Sequence, residues 1–130
     1  MPNNEFGDFQ TPLNLAKKCL ETLEIPRDIP IQIIEPTCGV GAFLQASQEI
    51  SPLSLRRGIE INPHYASEAS EYGEIIVDNI FGFNLQDLGF SDDPIFVVGN
   101  PPWVTSSELR RMDSVNLPKK ENFKGARGID

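Results

Sequence analysis

The chain has 130 residues, enough for one domain, and its 39% hydrophobic and 23% charged residues are typical of a soluble globular protein. No apolar run approaches the ~18 residues of a membrane span and no basic start precedes an apolar stretch, so we predict no signal peptide and a cytoplasmic location. The net charge of −8 argues against a wholly DNA-binding surface, because phosphate binding requires clustered Lys and Arg.

The first predicted element is a helix that begins at Thr11-Pro12. Thr can cap free backbone N–H groups, and Pro is tolerated at the first helical position. Apolar residues then recur at three- and four-residue steps, which predicts one buried helix face. These residues are Leu13, Ala16, Leu20 and Leu23. Pro26 and Pro30 mark the end of this helix.

Strands and helices alternate along the rest of the chain as far as Trp103. Short apolar runs predict strands over 31–34, 58–61, 74–77 and 95–98, and helices are predicted over 42–47 and 63–71. This alternation implies right-handed crossovers and a parallel sheet. Because the strands are nearly continuous apolar runs, we expect both faces of each to be covered. The predicted fold class is α/β, a Rossmann-like parallel sheet of about four strands with helices on both faces.

Acidic or amide side chains lie at or near the carboxyl ends of all four predicted strands. They are Glu35, Glu60, Asp78 and Asn100. In an open parallel sheet, ligands bind outside the carboxyl ends of the strands. The four positions therefore predict a site for a nucleoside-containing ligand.

A glycine-bearing turn follows the first predicted strand. Gly39 and Gly41 permit backbone conformations and a close approach that a Cβ would block. Glu60 follows at the spacing of a carboxylate that accepts both ribose hydroxyls. The turn lacks the third glycine of a dinucleotide site and the Gly-Lys-Ser/Thr of a phosphate-binding loop. It favours a ligand with a ribose but no pyrophosphate, such as S-adenosylmethionine.

The segment Asn100-Pro101-Pro102-Trp103 follows the last predicted strand. Consecutive prolines hold the backbone extended and remove two donors. The Asn100 side-chain oxygen and the Pro101 carbonyl can accept both hydrogens of an exocyclic amine and expose its lone pair. The Trp103 indole can stack on a base, which is worth about 1–3 kcal/mol. This segment predicts the catalytic site of an amine-modifying enzyme.

Five segments resemble, in the same order, the motifs of class I amino-methyltransferases. They are 7–12, 35–44, 58–63, 78–81 and 100–103. The first of these contains Thr-Pro, the second reads Glu-Pro-Thr-Cys-Gly-Val-Gly-Ala-Phe-Leu, and the last is Asn-Pro-Pro-Trp. The combination is similar to that of DNA adenine-N6 methyltransferases of the restriction-modification kind. The resemblance covers about residues 5–105.

The resemblance implies S-adenosyl-L-methionine as cofactor and a role for each matching residue. The implied cofactor-binding residues are Thr11, Pro12, Glu35, Pro36, Cys38, Gly39, Gly41, Phe43, Glu60, Ile61, Asp78, Asn79, Ile80 and Phe81. Among them, Glu35 would lie near the ammonium, Glu60 would bind the ribose and Asp78 would accept from the adenine amine. The implied catalytic residues are Asn100, Pro101, Pro102 and Trp103, with Trp103 stacking on a base flipped out of DNA.

We expect no metal site, because the single histidine, His64, has no Cys or His at ligand spacing. The two cysteines are too few for a disulfide framework, and we expect Cys19 to be a buried helix residue.

The resemblance also indicates what the chain lacks. Class I domains have seven strands and a target-recognition region, so we expect residues 1–105 to be an incomplete core. Residues 106–130, where basic side chains cluster, would form a polar, weakly structured tail. We expect the chain to be inactive alone. It would contact DNA through regions largely absent here, and a C-terminal half or specificity subunit is a possible partner.

Two other functions remain open from the sequence. Methyltransferases of protein glutamine or ribosomal RNA guanine share Asn-Pro-Pro, but they usually end it in Tyr or Phe and tend to lack the preceding Thr-Pro. A non-catalytic nucleotide-binding or interaction module is the alternative of another class. The intact Asn-Pro-Pro-Trp segment argues against it.

Overall fold

The computed structural model describes residues 9–102, of which residues 10–101 form one compact unit. The unit contains three α-helices, four strands and one 3-10 helix in the part of the chain that is described. In chain order these are α1 (Leu13–Thr22), β1 (Gln32–Glu35), α2 (Ala42–Ile50), β2 (Leu55–Glu60), α3 (Pro63–Ala69), β3 (Glu74–Val77), the 3-10 helix (Leu85–Leu88) and β4 (Ile95–Val97).

The four strands form a parallel sheet in the order β3-β2-β1-β4. The chain steps outward from β1 through α2 to β2 and through α3 to β3. It then returns past β1 to β4, so the strand order reverses between β1 and β4. Gln32 at the start of β1 pairs with both Leu55 and Ile95, which aligns the carboxyl ends of the three strands. The predicted α/β class with a Rossmann-like parallel sheet is confirmed.

The hydrophobic core lies between the sheet and the helices. Ala16 and Leu20 of α1 are completely buried, as are Ile33 of β1 and Leu44 of α2, and all four belong to one cluster. The apolar spacing of α1 explains this packing, because residues four apart lie on the same helix face. Cys19, expected to be buried, is half-buried in α1 and packs against this cluster.

On the face of the sheet opposite this core, two buried polar side chains attach β1 and β2 to the segment before β4. The Arg57 guanidinium donates to the carbonyls of Leu88 and Gly89 and to the Gln32 side chain. Gln32 in turn donates to the carbonyls of Ser91 and Asp93. β2 begins at Leu55 rather than at the predicted residue 58. These bonds let Arg57 lie buried within the strand, although its Nε has no partner among the described residues.

Other predicted boundaries move by a few residues. β1 covers Gln32–Glu35 rather than 31–34, α2 continues to Ile50, α3 ends at Ala69, and β4 ends at Val97.

The prediction that Thr11 caps α1 is wrong. Pro12 occupies the N-cap position of α1 without a side-chain cap, and its carbonyl accepts from the backbone N–H groups of Leu15 and Ala16.

The expectation that all strands are covered on both faces is also wrong. β1 is buried throughout, but Ile95 and Val97 of β4 are 45% and 62% exposed. Val77 of β3 is 55% exposed. Ile95 and Val97 lie on one face of β4, whereas Phe96 between them packs against the core, so the described residues cover β4 on one face only. Within residues 9–102, no helix is long and apolar enough to cross a membrane.

Candidate cofactor site

The turn after β1 has a conformation that requires its glycines. Gly39 and Gly41 have φ values of +55° and +89°, in the region that side chains with a Cβ disfavour. A Cβ on Gly41 would lie 3.0 Å from the Cβ of Ala69, where α3 packs against the turn. The Gly41 N–H donates to the Cys38 carbonyl at 2.9 Å and so closes the turn before α2 begins.

The Glu60 carboxylate at the end of β2 holds this turn in place. Its Oε2 accepts from the Gly39 N–H at 2.8 Å, and its Oε1 accepts from the Asn62 N–H at 3.0 Å. Each carboxylate oxygen has a second lone pair, so both can accept a further hydrogen bond. Glu60 is therefore a fixed anion at the predicted ribose position.

Glu35, the last residue of β1, is a buried acid, and the described residues fill only part of its hydrogen-bonding capacity. Its side chain is 3% exposed, and its Oε2 has no hydrogen-bond partner among the described residues. Burial raises the pKa of Glu35 to about 9, and the charge of Glu60 adds to this rise, whereas a hydrogen bond from the Leu44 N–H opposes it. Glu35 therefore carries a proton at neutral pH.

Two predicted cofactor residues contribute packing beneath the turn. Cys38 is 3% exposed and Phe43 is 5% exposed, and both belong to the hydrophobic cluster. Burial raises the pKa of the Cys38 thiol, and Glu35 and Glu60 raise it further. Cys38 is therefore not a thiolate at neutral pH. Pro36, also predicted, is half-buried directly after Glu35.

The segment after β3 forms a polar turn beside β2. The Asp78 N–H donates to the Glu60 carbonyl at 3.2 Å, and the Asn79 side chain accepts from the Phe81 N–H at 3.1 Å. Phe81 is 73% exposed and Ile61 is 37% exposed. Ile80 is half-buried. The predicted adenine-reading residues thus include exposed apolar surface next to the exposed Asp78 carboxylate.

The segment after β4 lies beside the first predicted motif. The Val98 N–H donates to the Ile34 carbonyl at 2.9 Å, which carries the pairing with β1 beyond the end of β4. The Asn100 side-chain amide then donates to the Thr11 hydroxyl at 3.4 Å. Pro101 and Pro102 are exposed, and Trp103 lies outside the described residues.

The predicted catalytic segment follows a residue that lies next to the buried acid. A Cβ on Gly99 would lie 3.3 Å from Cγ of Glu35, so the backbone of residue 99 runs along that side chain. The structure thus brings Glu35, Glu60 and Asn100 to the same edge of the sheet around the glycine turn. The structure also brings Thr11 to this edge.

Gln10 is a site residue that the sequence reasoning did not single out. Its Oε1 accepts from the Val40 N–H at 3.1 Å, and a Cβ on Gly39 would lie 2.4 Å from the same oxygen. The signal available was its position next to Thr11 in a segment already assigned to the cofactor. Among residues 9–102, no group of three or more His, Cys, Asp or Glu side chains is arranged to hold a metal ion.

The residues present fit an S-adenosyl cofactor on two structural grounds. The Glu60 carboxylate retains lone pairs for ribose hydroxyls, and the unpartnered Glu35 oxygen would be satisfied by an ammonium group. One solved structure supports the fold. Coclaurine N-methyltransferase, bound to N-methylheliamine and S-adenosylhomocysteine (SAH), matches with a TM-score of 0.51 and 14% identity over 77% of this chain and 31% of that chain. The fold is a partial class I methyltransferase core.

Sequence comparisons find relatives within a narrower class of methyltransferases. The chain is 38% identical to the Type II methyltransferase M.NspV of Nostoc sp. over 97% of its own length, and 33% identical to the modification methylase CviBIII of Paramecium bursaria Chlorella virus NC1A over 75%. The chain is therefore similar to one part of these type II methyltransferases and modification methylases. It spans 28% of the first relative and 26% of the second, roughly a quarter of each. No protein-family model matches the chain.

Proposed function

We propose that the chain is the cofactor-binding part of an enzyme that transfers a methyl group from S-adenosylmethionine to the N6 amine of adenine in DNA. One observation carries this proposal. An amide that can hold an amine, Asn100, lies beside a glycine turn and two carboxylates, Glu35 and Glu60, at the carboxyl edge of one parallel sheet.

The cofactor would be held by groups whose hydrogen-bonding capacity is not exhausted. Glu60 has lone pairs left for the ribose hydroxyls after its two backbone bonds. Glu35 offers an unpartnered oxygen to the ammonium. Asp78 would accept from the adenine amine while Ile80 and Phe81 pack on the ring, and Thr11 and Pro12 would contact the methionine end.

Bound in this site, S-adenosylmethionine supplies an already activated sulfonium methyl group. The protein's part is then to position the nucleophile. The Asn100 amide nitrogen donates to Thr11, and its Oδ1 would accept from the target amine together with the Pro101 carbonyl. This pairing withdraws the nitrogen lone pair from the ring and directs it at the methyl carbon. Catalysis by positioning requires no covalent enzyme intermediate.

Adenine in DNA is the substrate that the sequence supports best. The type II methyltransferase and modification methylase relatives support DNA, and the Trp that follows Asn-Pro-Pro supports the adenine-N6 class over the glutamine and ribosomal RNA enzymes. A labelled-methyl assay on DNA, RNA and protein substrates, run with the complete enzyme to which this chain belongs, tests this choice. Label in N6-methyladenine supports the proposal, and label only in RNA or protein contradicts it.

Cofactor binding can be tested separately from transfer. We expect calorimetry to detect SAH binding by the chain, loss of binding in Glu60→Ala, and retained binding in Asn100→Ala. Absence of binding by the unmodified chain would favour the non-catalytic module. Because the chain spans about a quarter of its relatives, we further propose that residues 1–105 are an incomplete core and that methyl transfer needs a further part of the enzyme. Transfer by the 130-residue chain alone would contradict this.

A further inference from the structure

Glu35 and Glu60 lie at the same edge of the sheet in contrasting electrostatic environments. Glu60 accepts from two backbone N–H groups and is well satisfied as an anion. Glu35 is more deeply buried, at 3% exposed, and its Oε2 has no partner among the described residues. A buried carboxylate with an empty oxygen is unfavourable, whereas a neutral carboxyl group in that place is tolerated.

The elements packed around Glu35 supply no compensating positive charge. The titratable groups that face it are Glu60 from β2 and Cys38 from the glycine turn, and both disfavour a negative charge on Glu35. α2 contributes the Leu44 N–H, and the segment after β4 contributes the Gly99 backbone. The one ion pair found within residues 9–102 joins Lys17 to Glu49 on α1 and α2. A cation that would favour the ionised form of Glu35 must therefore come from outside this set of residues.

The proposed cofactor carries one suitable group. Its sulfonium has no hydrogen to donate, whereas its α-ammonium has three N–H donors and can pair with a carboxylate in a charge-assisted hydrogen bond. An ammonium at the empty oxygen would favour the ionised form of Glu35, because an opposite charge within hydrogen-bonding distance lowers the pKa of an acid.

We propose that Glu35 holds a proton in the cofactor-free site and releases it to solvent when the α-ammonium of the cofactor binds. The step breaks the O–H bond of the carboxyl group, leaves the electron pair on Glu35, and keeps all three hydrogens on the ammonium. Cofactor affinity is thereby coupled to pH. This inference rests on the proposed function, since it requires the S-adenosyl ligand to occupy the site.

Calorimetry of the 130-residue protein with SAH, in buffers of different ionisation enthalpy at about pH 7, measures the protons exchanged on binding. We expect about one proton to be released. The observed affinity for SAH should then rise by about tenfold per pH unit over roughly pH 6.5–8, and this dependence should level off near the pKa of free Glu35. Glu21→Gln, which removes an exposed carboxylate on α1 outside the site, should leave the proton release unchanged.

Two comparisons isolate the contact between Glu35 and the α-ammonium of the cofactor. 5′-Methylthioadenosine has the nucleoside but no amino acid, so its binding should release close to no proton. Glu35→Gln should bind SAH more weakly and without proton release. If that variant does not fold, the comparison of the two ligands and the pH profile still decide the question.

The possible failures are distinguishable. If SAH binds to the unmodified protein without releasing a proton, or if both ligands release the same number, the proton coupling is wrong and the cofactor site stands. If SAH does not bind at all, the proposed function fails, and the coupling fails with it.

Discussion

The Glu60 carboxylate and the Gly39 backbone N–H are joined by a 2.8 Å hydrogen bond that ties the end of β2 to the turn after β1. The same side chain accepts from Asn62, which starts α3 by capping the His64 N–H at 2.9 Å. One carboxylate thus orders two of the chain segments that surround the candidate ribose position.

Glu60→Gln should therefore impair both stability and binding. The amide has one acceptor oxygen, so one of the two backbone donors would face its NH2 group. Since hydrogen bonds to charged groups are worth about 1.5–3 kcal/mol, we expect a loss of roughly 2–4 kcal/mol in the free energy of unfolding. Urea denaturation measures this loss, and Glu68→Gln on the exposed face of α3 is the control. Equal midpoints for the two variants would show that the bonds contribute nothing.

Gly41→Ala should be more damaging than Gly89→Ala. Both residues have positive φ, at +89° and +65°, so each substitution incurs about 1–2 kcal/mol of backbone strain. A Cβ at residue 41 would also press against Ala69, whereas a Cβ at residue 89 meets nothing within 4 Å. We expect a further 1–3 kcal/mol, roughly, for Gly41→Ala from this overpacking. Chemical denaturation of the two variants compares the costs directly, and similar losses would contradict the close packing of α3 on the turn.

Glu35 should make the free energy of unfolding depend on pH. Its folded pKa of about 9 lies above its ordinary value, so the unfolded chain loses this proton at a lower pH than the folded protein does. The stability associated with Glu35 is therefore complete at acid pH and is lost as the pH rises toward about 9.

Glu35→Gln should remove this dependence. We expect it to match the unmodified protein near pH 4 and to be more stable by roughly 4–5 kcal/mol near pH 8, because each pH unit above the ordinary pKa of Glu35 contributes about 1.4 kcal/mol until its folded pKa is reached. Urea midpoints measured across the range test this, with Glu71→Gln as a control that keeps the slope. A parallel offset at all pH values would show that Glu35 titrates normally.

Arg57 should prove essential to the attachment of the segment before β4. Its side chain is 4% exposed and donates to the carbonyls of Leu88 and Gly89 and to Gln32. Arg57→Met leaves these acceptors without their donor, and we expect a loss of roughly 2–4 kcal/mol. Arg57→Lys should not restore it, because an ammonium cannot reproduce the planar fork. Thermal unfolding measures both, and the exposed Arg27→Met should be neutral.

The contact between Thr11 and Asn100 should orient the side chain proposed to hold the target amine. Their hydrogen bond measures 3.4 Å. Thr11→Ser retains the hydroxyl and should preserve the NMR shifts of the Asn100 side-chain NH2 group, whereas Thr11→Val should move them. Unchanged shifts in Thr11→Val would mean that the hydroxyl does not set the amide orientation.

Local patterns were sufficient to predict several parts of the fold and site. The bounds of β3 match the predicted run, because turn signals on both sides of these four residues fix the ends of the strand. The glycine turn was predictable because its backbone conformation needs residues without a Cβ, and the start of α3 because Asn62-Pro63 is a strong local cap signal. The spacing from Gly39 to Glu60 also predicted their proximity, because adjacent parallel strands bring their carboxyl ends together.

The chain's order of turns, strands and polar strand ends therefore determined by itself the sheet and the edge of the sheet at which the candidate site is predicted. Tertiary structure alone decided which charged groups lie inside. Arg57 is buried because carbonyls distant in sequence accept from it, and Glu35 is buried with one oxygen unpartnered among the described residues. Solvation and long-range hydrogen bonds depend on residues far apart in the chain, so no local pattern contains them.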